Sequence, residues 1–207
     1  MRELLIATHN TNKFKELKSL LQFTGFSLVS LKELGITEEV EEVGTTFEQN
    51  ASLKAEGYLR LSGMPTLADD SGLEVEALNG EPGVYSARYG GSKAPSDQDR
   101  VQLLLRNLEQ SGDKNRKAQF RCVIALAFPE DTIELYNGMC KGEIAELPRG
   151  ENGFGYDPIF FIPQLNKTLA ELTGEQKNAI SHRSVAIHEA ASALINRNES
   201  IESKGRP

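Results

Sequence analysis

Tryptophan is absent from the 207 residues, and cysteine occurs only twice, as Cys122 and Cys140. There is no Cys-x-x-Cys pair and no His-x-His beside them. That argues against a zinc site and against a disulfide framework, and leaves two buried thiols in a reducing cytoplasm as the expectation. No run of about 18 apolar residues occurs, so no membrane-spanning helix and no membrane partner are expected. The opening MRELLIATHN lacks the apolar stretch and small-residue cleavage site of a signal peptide. Blocks of lysine and arginine are missing too, and the formal net charge is −7. A protein that grips duplex nucleic acid carries a basic face, so no direct nucleic-acid partner is expected. An acidic chain still holds a small polyanion where a few cations converge and a metal ion adds positive charge. What is present is ordinary for a globular protein: 39% hydrophobic and 26% charged residues. The length suits a single domain over 1–207, in one body or two lobes.

LLIAT (4–8) reads as a buried strand, followed by a polar turn and a helix in which Phe14, Leu17, Leu20 and Leu21 recur at helical spacing. FSLVSL (26–31) reads as a second strand, and the acidic EEVEEVG as an extended segment. A helix is expected over 45–63, capped by Thr45 or Thr46, with Glu48 near its third position. PTLADDSGLEVEALNG reads as two short strands around an acidic turn. SDQDRVQLLLRNLEQSG is an amphipathic helix capped by Ser96 and ended by Gly112. AQFRCVIALAF (118–128) is a central strand, joined through Pro-Glu-Asp to a partner over 132–144. A Gly/aromatic loop runs into a strand over 152–163. The stretch 168–197 is helical in at least its second half, and residues from about 198 to 207 form a frayed polar tail. The pattern implies an α/β protein with a mixed sheet and flanking helices.

Five short stretches carry chemistry. In ATHNTNK a strand, turn and helix aim backbone N–H groups outward at the positive end of a helix dipole, with Thr8, Asn10, Asn12 and Lys13 adding donors. An ordinary capped helix with a surface lysine shows the same pattern. In DDSG, adjacent strand residues face opposite sides, so Asp69 and Asp70 divide two roles. One binds metal or water and the other braces backbone amides. Such hard oxygen ligands suit Mg²⁺, which leans on one or two carboxylates plus substrate phosphates. A turn stabilised by Asp, Ser and Gly hydrogen bonds is the alternative. In EEVEE one alternating face, Glu39 with Glu41 or Glu38 with Glu42, offers a second carboxylate, and a solvated acidic face is the alternative. In GFGYDP the glycines permit close approach of a ligand. Phe154 or Tyr156 offers a ring for a base to stack on, and Asp157 accepts from a ring N–H. In EQKNAISHRS, Lys177, His182 and Arg183 lie within one short stretch. Arginine's fork of donors suits a carbonyl or a phosphate.

ATHNTNKFKE, FEQNASLKA, LADDSGLEVEALNGEPGVYSARYGG, GFGYDPIF and KNAISHR occur in this order over residues 6 to about 190. Together they resemble the inosine triphosphate pyrophosphatase family, the bacterial noncanonical purine NTP pyrophosphatases. The resemblance implies an elongated mixed sheet with flanking helices, in two lobes around a central cleft. It implies a cytoplasmic homodimer, a Mg²⁺ requirement, and hydrolysis of dITP, ITP or XTP to the monophosphate and pyrophosphate, which keeps such nucleotides out of nucleic acids. By position, Thr8, His9, Asn10, Thr11, Asn12 and Lys13 bind phosphates with help from Lys54. Asp70 is the proton acceptor and a metal contact, and Ser71 touches substrate. Phe154, Gly155, Tyr156, Asp157, Lys177, His182 and Arg183 form the pocket for base and phosphate. Glu41 is the expected second metal carboxylate, with Glu42 as the alternative.

Overall fold

Leu4, Leu5 and Ile6 are wholly buried and make the apolar end of β1 (Arg2–Ile6). The computed structural model describes residues 2–129 and 132–204. After β1 the chain turns into α1 (Thr11–Leu21), whose N-terminus is capped by Asn10. It returns as β2 (Phe26–Ser30), parallel to β1 with Leu4 opposite Leu28. An irregular stretch leads to α2 (Phe47–Ser62). Thr46 caps this helix by accepting from the Gln49 N–H at 3.2 Å, and Gly63, at φ 69°, ends it. A positive φ is cheap only for a residue without Cβ. β3 (Thr66–Val75) then pairs parallel with β1, Ile6 opposite Leu67.

Past three short 3₁₀ turns lies α3 (Asp97–Gln110), opened by a reciprocal Ser96–Asp99 capping box. The long strands β4 (Lys117–Ala127) and β5 (Glu134–Ile144) follow. The short β6 (Phe160–Ile162) pairs antiparallel with β5, and β7 (Lys167–Thr168) with β6. Two helices close the chain, α4 (Gly174–Asn178) and α5 (His182–Lys204). The sheet order is β2-β1-β3-β4-β5-β6-β7, with parallel and antiparallel pairs, so the chain is α/β with a mixed seven-stranded sheet. Among the described residues no helix is long and apolar enough to cross a membrane.

The chain divides into two compact units, Met1–Asp70 with Cys122–Gly138 and Arg183–Pro207, and Ser71–Arg121 with Met139–His182. The first has a core built on Leu4, Ile6, Leu17, Leu67, Ile124 and Leu194. The core of the second is built on Leu73, Leu104, Leu108, Phe120, Ile144 and Phe160. Cys122 and Cys140 are buried free thiols, and burial pushes them up to about 12 and about 11.

Two expectations need revision. The acidic stretch is not two strands around a turn: Asp69 and Asp70 lie inside one continuous strand and are both buried. Their charges are met by side chains from other elements, which lets a turn-prone sequence stay extended. The EEVEEVG segment before α2 forms no ladder pair among the described residues. The stretch 168–197 is helical in its second half, as expected, with α4 ahead of residues 179–181 and α5 after them. The backbone of α5 is helical to Lys204, through most of the stretch expected to fray, and residues 205–207 lie outside the described residues. Glu130 and Asp131 of the expected Pro-Glu-Asp turn also lie outside them, while β4 and β5 are neighbours in the sheet.

Candidate active site

In the first unit, the alternation of β3 sends its two aspartates to different partners. The Lys13 ammonium, from the first turn of α1, sits 3.0 Å from Asp69 Oδ2. The Arg183 guanidinium, at the start of α5, lies 3.4 Å from the same oxygen and binds Glu16 of α1 with its other nitrogen. Burial pushes the Asp69 carboxyl up, but the charges of Lys13, Arg183 and Lys54 outweigh it and hold it well below the usual carboxylate range. Burial also works against the Arg183 charge, and Asp69, Cys122 and Glu16 outweigh that, so the guanidinium is held firmly cationic. Asp69 is thus an ionised knot joining three elements.

Asp70 is in a different state. Its Oδ1 lies 3.8 Å from the Lys54 ammonium of α2. Burial raises its pKa, Lys54 and Lys13 pull it down, and the nearby charges of Glu42 and Asp69 push it up again, leaving it above the ordinary aspartate value. Lys54 also reaches Glu42 Oε1 at 3.2 Å. One ammonium therefore touches both carboxylates.

Glu42 sits on an irregular segment, yet that segment is held in place. Asn50, Lys54 and Tyr58 recur at i, i+4, i+8 along one face of α2. Tyr58 Oη donates to the Glu38 carbonyl at 3.0 Å, Lys54 reaches Glu42, and Asn50 Oδ1 accepts from the Gly44 N–H at 2.8 Å. The segment runs beside the helix in the opposite sense. At Gly57, a Cβ would lie 2.7 Å from Val40 Cγ2, which explains a glycine inside a helix. Of the two glutamates considered for the metal, Glu42 is the one joined to Asp70 through Lys54. Glu41 is exposed.

The turn after β1 is more self-contained than its sequence suggests. Thr8 Oγ1 accepts from the Asn10 N–H at 3.2 Å, and Asn10 Oδ1 accepts from the N–H groups of Asn12 and Lys13 at 2.9 and 3.1 Å. These amides are used within the turn. His9 Nε2 lies 3.1 Å from the Tyr58 hydroxyl oxygen and 3.3 Å from the Glu38 carbonyl. The side chains of His9, Asn10, Thr11 and Asn12 are exposed, and Thr8 and Lys13 are half-buried.

In the second unit the GFGYDP loop assigns its aromatic residues to different tasks. Tyr156 is buried and donates to the Ser86 carbonyl at 3.0 Å, so it plugs the core. Phe154 is half-buried, with the Lys177 ammonium 4.8 Å from its ring centre. Asp157 Oδ2 accepts from the Phe154 N–H at 2.9 Å and from Lys177 at 2.6 Å, and the Gly155 N–H donates to Asp97 at 2.7 Å. Asp157 therefore fixes the loop and Lys177. His182 is buried, its ring stacked 4.7 Å from Phe120 at 12°. Ser71 is half-buried on β3. Arg183, expected in the pocket for base and phosphate, is in the first unit, with one terminal nitrogen on Glu16 and the other near Asp69.

The loop depends on Gly153, where φ is +76° and a Cβ would lie 2.0 Å from Asp157 Oδ2. A left-handed non-glycine residue costs roughly 1–2 kcal/mol, and overpacking costs roughly 1–3 kcal/mol more. Gly153→Ala is therefore expected to lower the thermal midpoint by several degrees. An unchanged melt would show that the Asp157–Lys177 clasp does not need this glycine.

Glu16, Asn50 and Tyr58 were not singled out from the sequence. Their signal was present as spacing. Glu16 is i+3 from Lys13 on α1, and Asn50 and Tyr58 flank Lys54 at i±4, so each shares a helix face with a cationic candidate.

The first unit can hold a cation on Asp70 and Glu42 and present Lys13 and Lys54 to an anion. The second offers a ring with an ammonium over its face. Among the described residues no three His, Cys, Asp or Glu side chains converge as a metal ligand set, so any metal there leans on two carboxylates and its ligand. A family model described as the Ham1 family matches residues 4–193. The dITP/XTP pyrophosphatase of Bacillus subtilis strain 168 is 46% identical over 194 residues, covering 94% of this chain and 98% of that protein. The protein of the same name from Staphylococcus epidermidis strain ATCC 35984 is 48% identical over 187 residues, covering 90% and 93%. A solved Ham1 protein from Coxiella burnetii matches with a TM-score of 0.87 and 42% identity, covering 95% of this chain and all of that one. For the Staphylococcus aureus Ham1 protein the TM-score is 0.84, the identity 44% and the coverage the same. A family match over nearly the whole length, with relatives at this identity, shows that the chain belongs to the Ham1 family.

Proposed function

We propose that the chain is a nucleoside triphosphate pyrophosphatase that hydrolyses dITP, ITP and XTP to the monophosphate and pyrophosphate, with Mg²⁺. The observation that carries this reading is the pair of carboxylates, Asp70 and Glu42, gathered on the single ammonium of Lys54. The names of the relatives agree with it. The donor set fits the ion: Lys54 is a stand-in cation touching both carboxylates, and Mg²⁺ sites use one or two carboxylates completed by water and substrate phosphates. When bound on Asp70 and Glu42, Mg²⁺ supplies charge stabilisation to the triphosphate.

The chain's own residues do the rest. Asp70 orients the attacking water and accepts its proton as the water oxygen bonds to the α-phosphorus and the bond to the pyrophosphate oxygen breaks. Lys54 and Lys13 offer cationic donors to the phosphates. Asp69 and Arg183 hold Lys13 and the helix that carries it. In the second unit, Phe154 offers its ring to the purine, and Lys177 or His182 donates to a carbonyl at purine C6. Adenine presents an amino group there, which leaves a donor facing a donor. One such buried mismatch costs about 1–3 kcal/mol, or roughly five- to 150-fold in kcat/KM. The reading extends to a cytoplasmic homodimer that clears deaminated purine nucleotides before they enter nucleic acids.

The test is a comparison of kcat/KM for dITP, ITP, XTP, GTP and ATP with product identification, with and without Mg²⁺. The 6-oxo substrates are expected to exceed ATP, to yield pyrophosphate rather than inorganic phosphate, and to lose turnover in EDTA. Equal values for all five, or orthophosphate as product, would overturn the assignment.

A further inference from the structure

Lys54 is held at 3.2 Å from Glu42 Oε1 and 3.8 Å from Asp70 Oδ1. Its ammonium occupies the position between the carboxylates that a bound cation needs. Two cations do not share such oxygens cheaply: like charges a few ångströms apart in a protein site repel by well over a factor of ten in binding. The segment that carries Glu42 is tied to the helix that carries Lys54. Tyr58 and Asn50, one turn either side, pin the Glu42 segment to α2 through the Glu38 carbonyl and the Gly44 N–H. The backbone that carries Glu42 is thus tied to α2 and that of Asp70 lies in β3, whereas the lysine reaches both carboxylates on a flexible four-carbon stem. When the occupant changes, the lysine is the part that moves.

We propose that Lys54 is the built-in counter-ion of the cation site, displaced from Asp70 and Glu42 when a divalent cation binds, so that the freed ammonium becomes available to the substrate's phosphate. This rests on the metal assignment made above and adds the exchange to it. The exchange orders the two events. The cation arrives first and releases the lysine, and the phosphate tail then finds a cation on the carboxylates and a mobile ammonium beside them. Lys54 is a competitor towards the metal and a binding residue towards the phosphate.

The test is Mn²⁺ binding without nucleotide, followed by calorimetry or by the loss of the free-ion paramagnetic resonance signal. Lys54→Met removes the competitor and is expected to bind Mn²⁺ about tenfold or more tightly than wild type. Lys54→Arg keeps the charge and is expected to stay close to wild type. Equal or weaker binding by Lys54→Met overturns the proposal, as does absence of Mn²⁺ binding by both proteins. Should Lys54→Met not fold, pulsed acetylation of the wild type reads the same event: Mg²⁺ alone is expected to raise modification of Lys54 relative to the exposed Lys141. Unchanged or lowered modification overturns it. Neither readout contains a nucleotide, so a chain that shows the exchange and hydrolyses no triphosphate would uphold this proposal and refute the substrate assignment.

Discussion

Asp70→Asn is expected to lower kcat on dITP by about 10³-fold while leaving the thermal midpoint where it was or slightly above. The catalytic half follows from the roles assigned to this carboxylate. A positioned proton acceptor contributes roughly 10²–10⁴-fold, and asparagine keeps the shape but accepts no proton and holds a cation poorly. The stability half follows from the sign of the pKa shift. Burial, with the nearby charges of Glu42 and Asp69, raises the Asp70 pKa above its ordinary value against the pull of Lys54 and Lys13. A carboxyl whose folded pKa is raised is costlier to ionise in the fold than in the unfolded chain, so its charge detracts from stability above that pKa. Neutralising it removes that cost. Lys54 retains Glu42 as a partner. Steady-state kinetics and a melt on the same preparation decide the matter. A variant of near-normal turnover removes Asp70 from the chemistry, and one that melts far below wild type makes its role structural.

The sequence was most legible where local signals agreed. LLI at β1, the apolar spacing of α1, Thr46 before α2 and the Ser96–Asp99 box before α3 each placed an element within one or two residues. It was least legible where tertiary contacts overrode local preference. Asp, Ser and Gly favour turns, so DDSG reads as one. The structure keeps it extended because Lys13, Arg183 and Lys54, from three different helices, meet the two carboxylates. Which glutamate of EEVEE reaches Lys54 was invisible for a related reason. An irregular segment has no period, and the stripe of Asn50, Lys54 and Tyr58 that orients it lies on another element. Arg183 and Glu16 stand 167 residues apart, so nothing local could show that the arginine is a brace for Asp69. In GFGYDP the residue types were readable, but burial alone divided a core-filling Tyr156 from a half-buried Phe154.

Asp69→Asn, one residue away from the first substitution, is expected to do the opposite: lower the stability by roughly 3–5 kcal/mol, the usual result of breaking a buried ion pair from one side. The fully buried carboxylate answers Lys13 at 3.0 Å and Arg183 at 3.4 Å. Arg183 is itself almost wholly buried, so the variant takes from its charge one of the two carboxylates that meet it, leaving Glu16. For a chain of this size 1 kcal/mol moves the melting midpoint by roughly 2–4 °C, and a fall of about 6–20 °C follows. Activity falls too, but as a consequence of losing the fold that carries Lys13. The pH dependence separates this from a packing defect. The Asp69 pKa is depressed in the fold, so its stabilisation is fully present above the unfolded value, about 3.9, and is lost as pH falls through the lower folded value. The advantage of wild type over Asp69→Asn is therefore expected to be constant from pH 8 to pH 5 and to shrink below about pH 4. Urea unfolding of both proteins across that range measures it directly. A variant that melts within about 2 °C of wild type, a difference of under roughly 1 kcal/mol, would show that Asp69 is not the knot that holds the two helices to the strand.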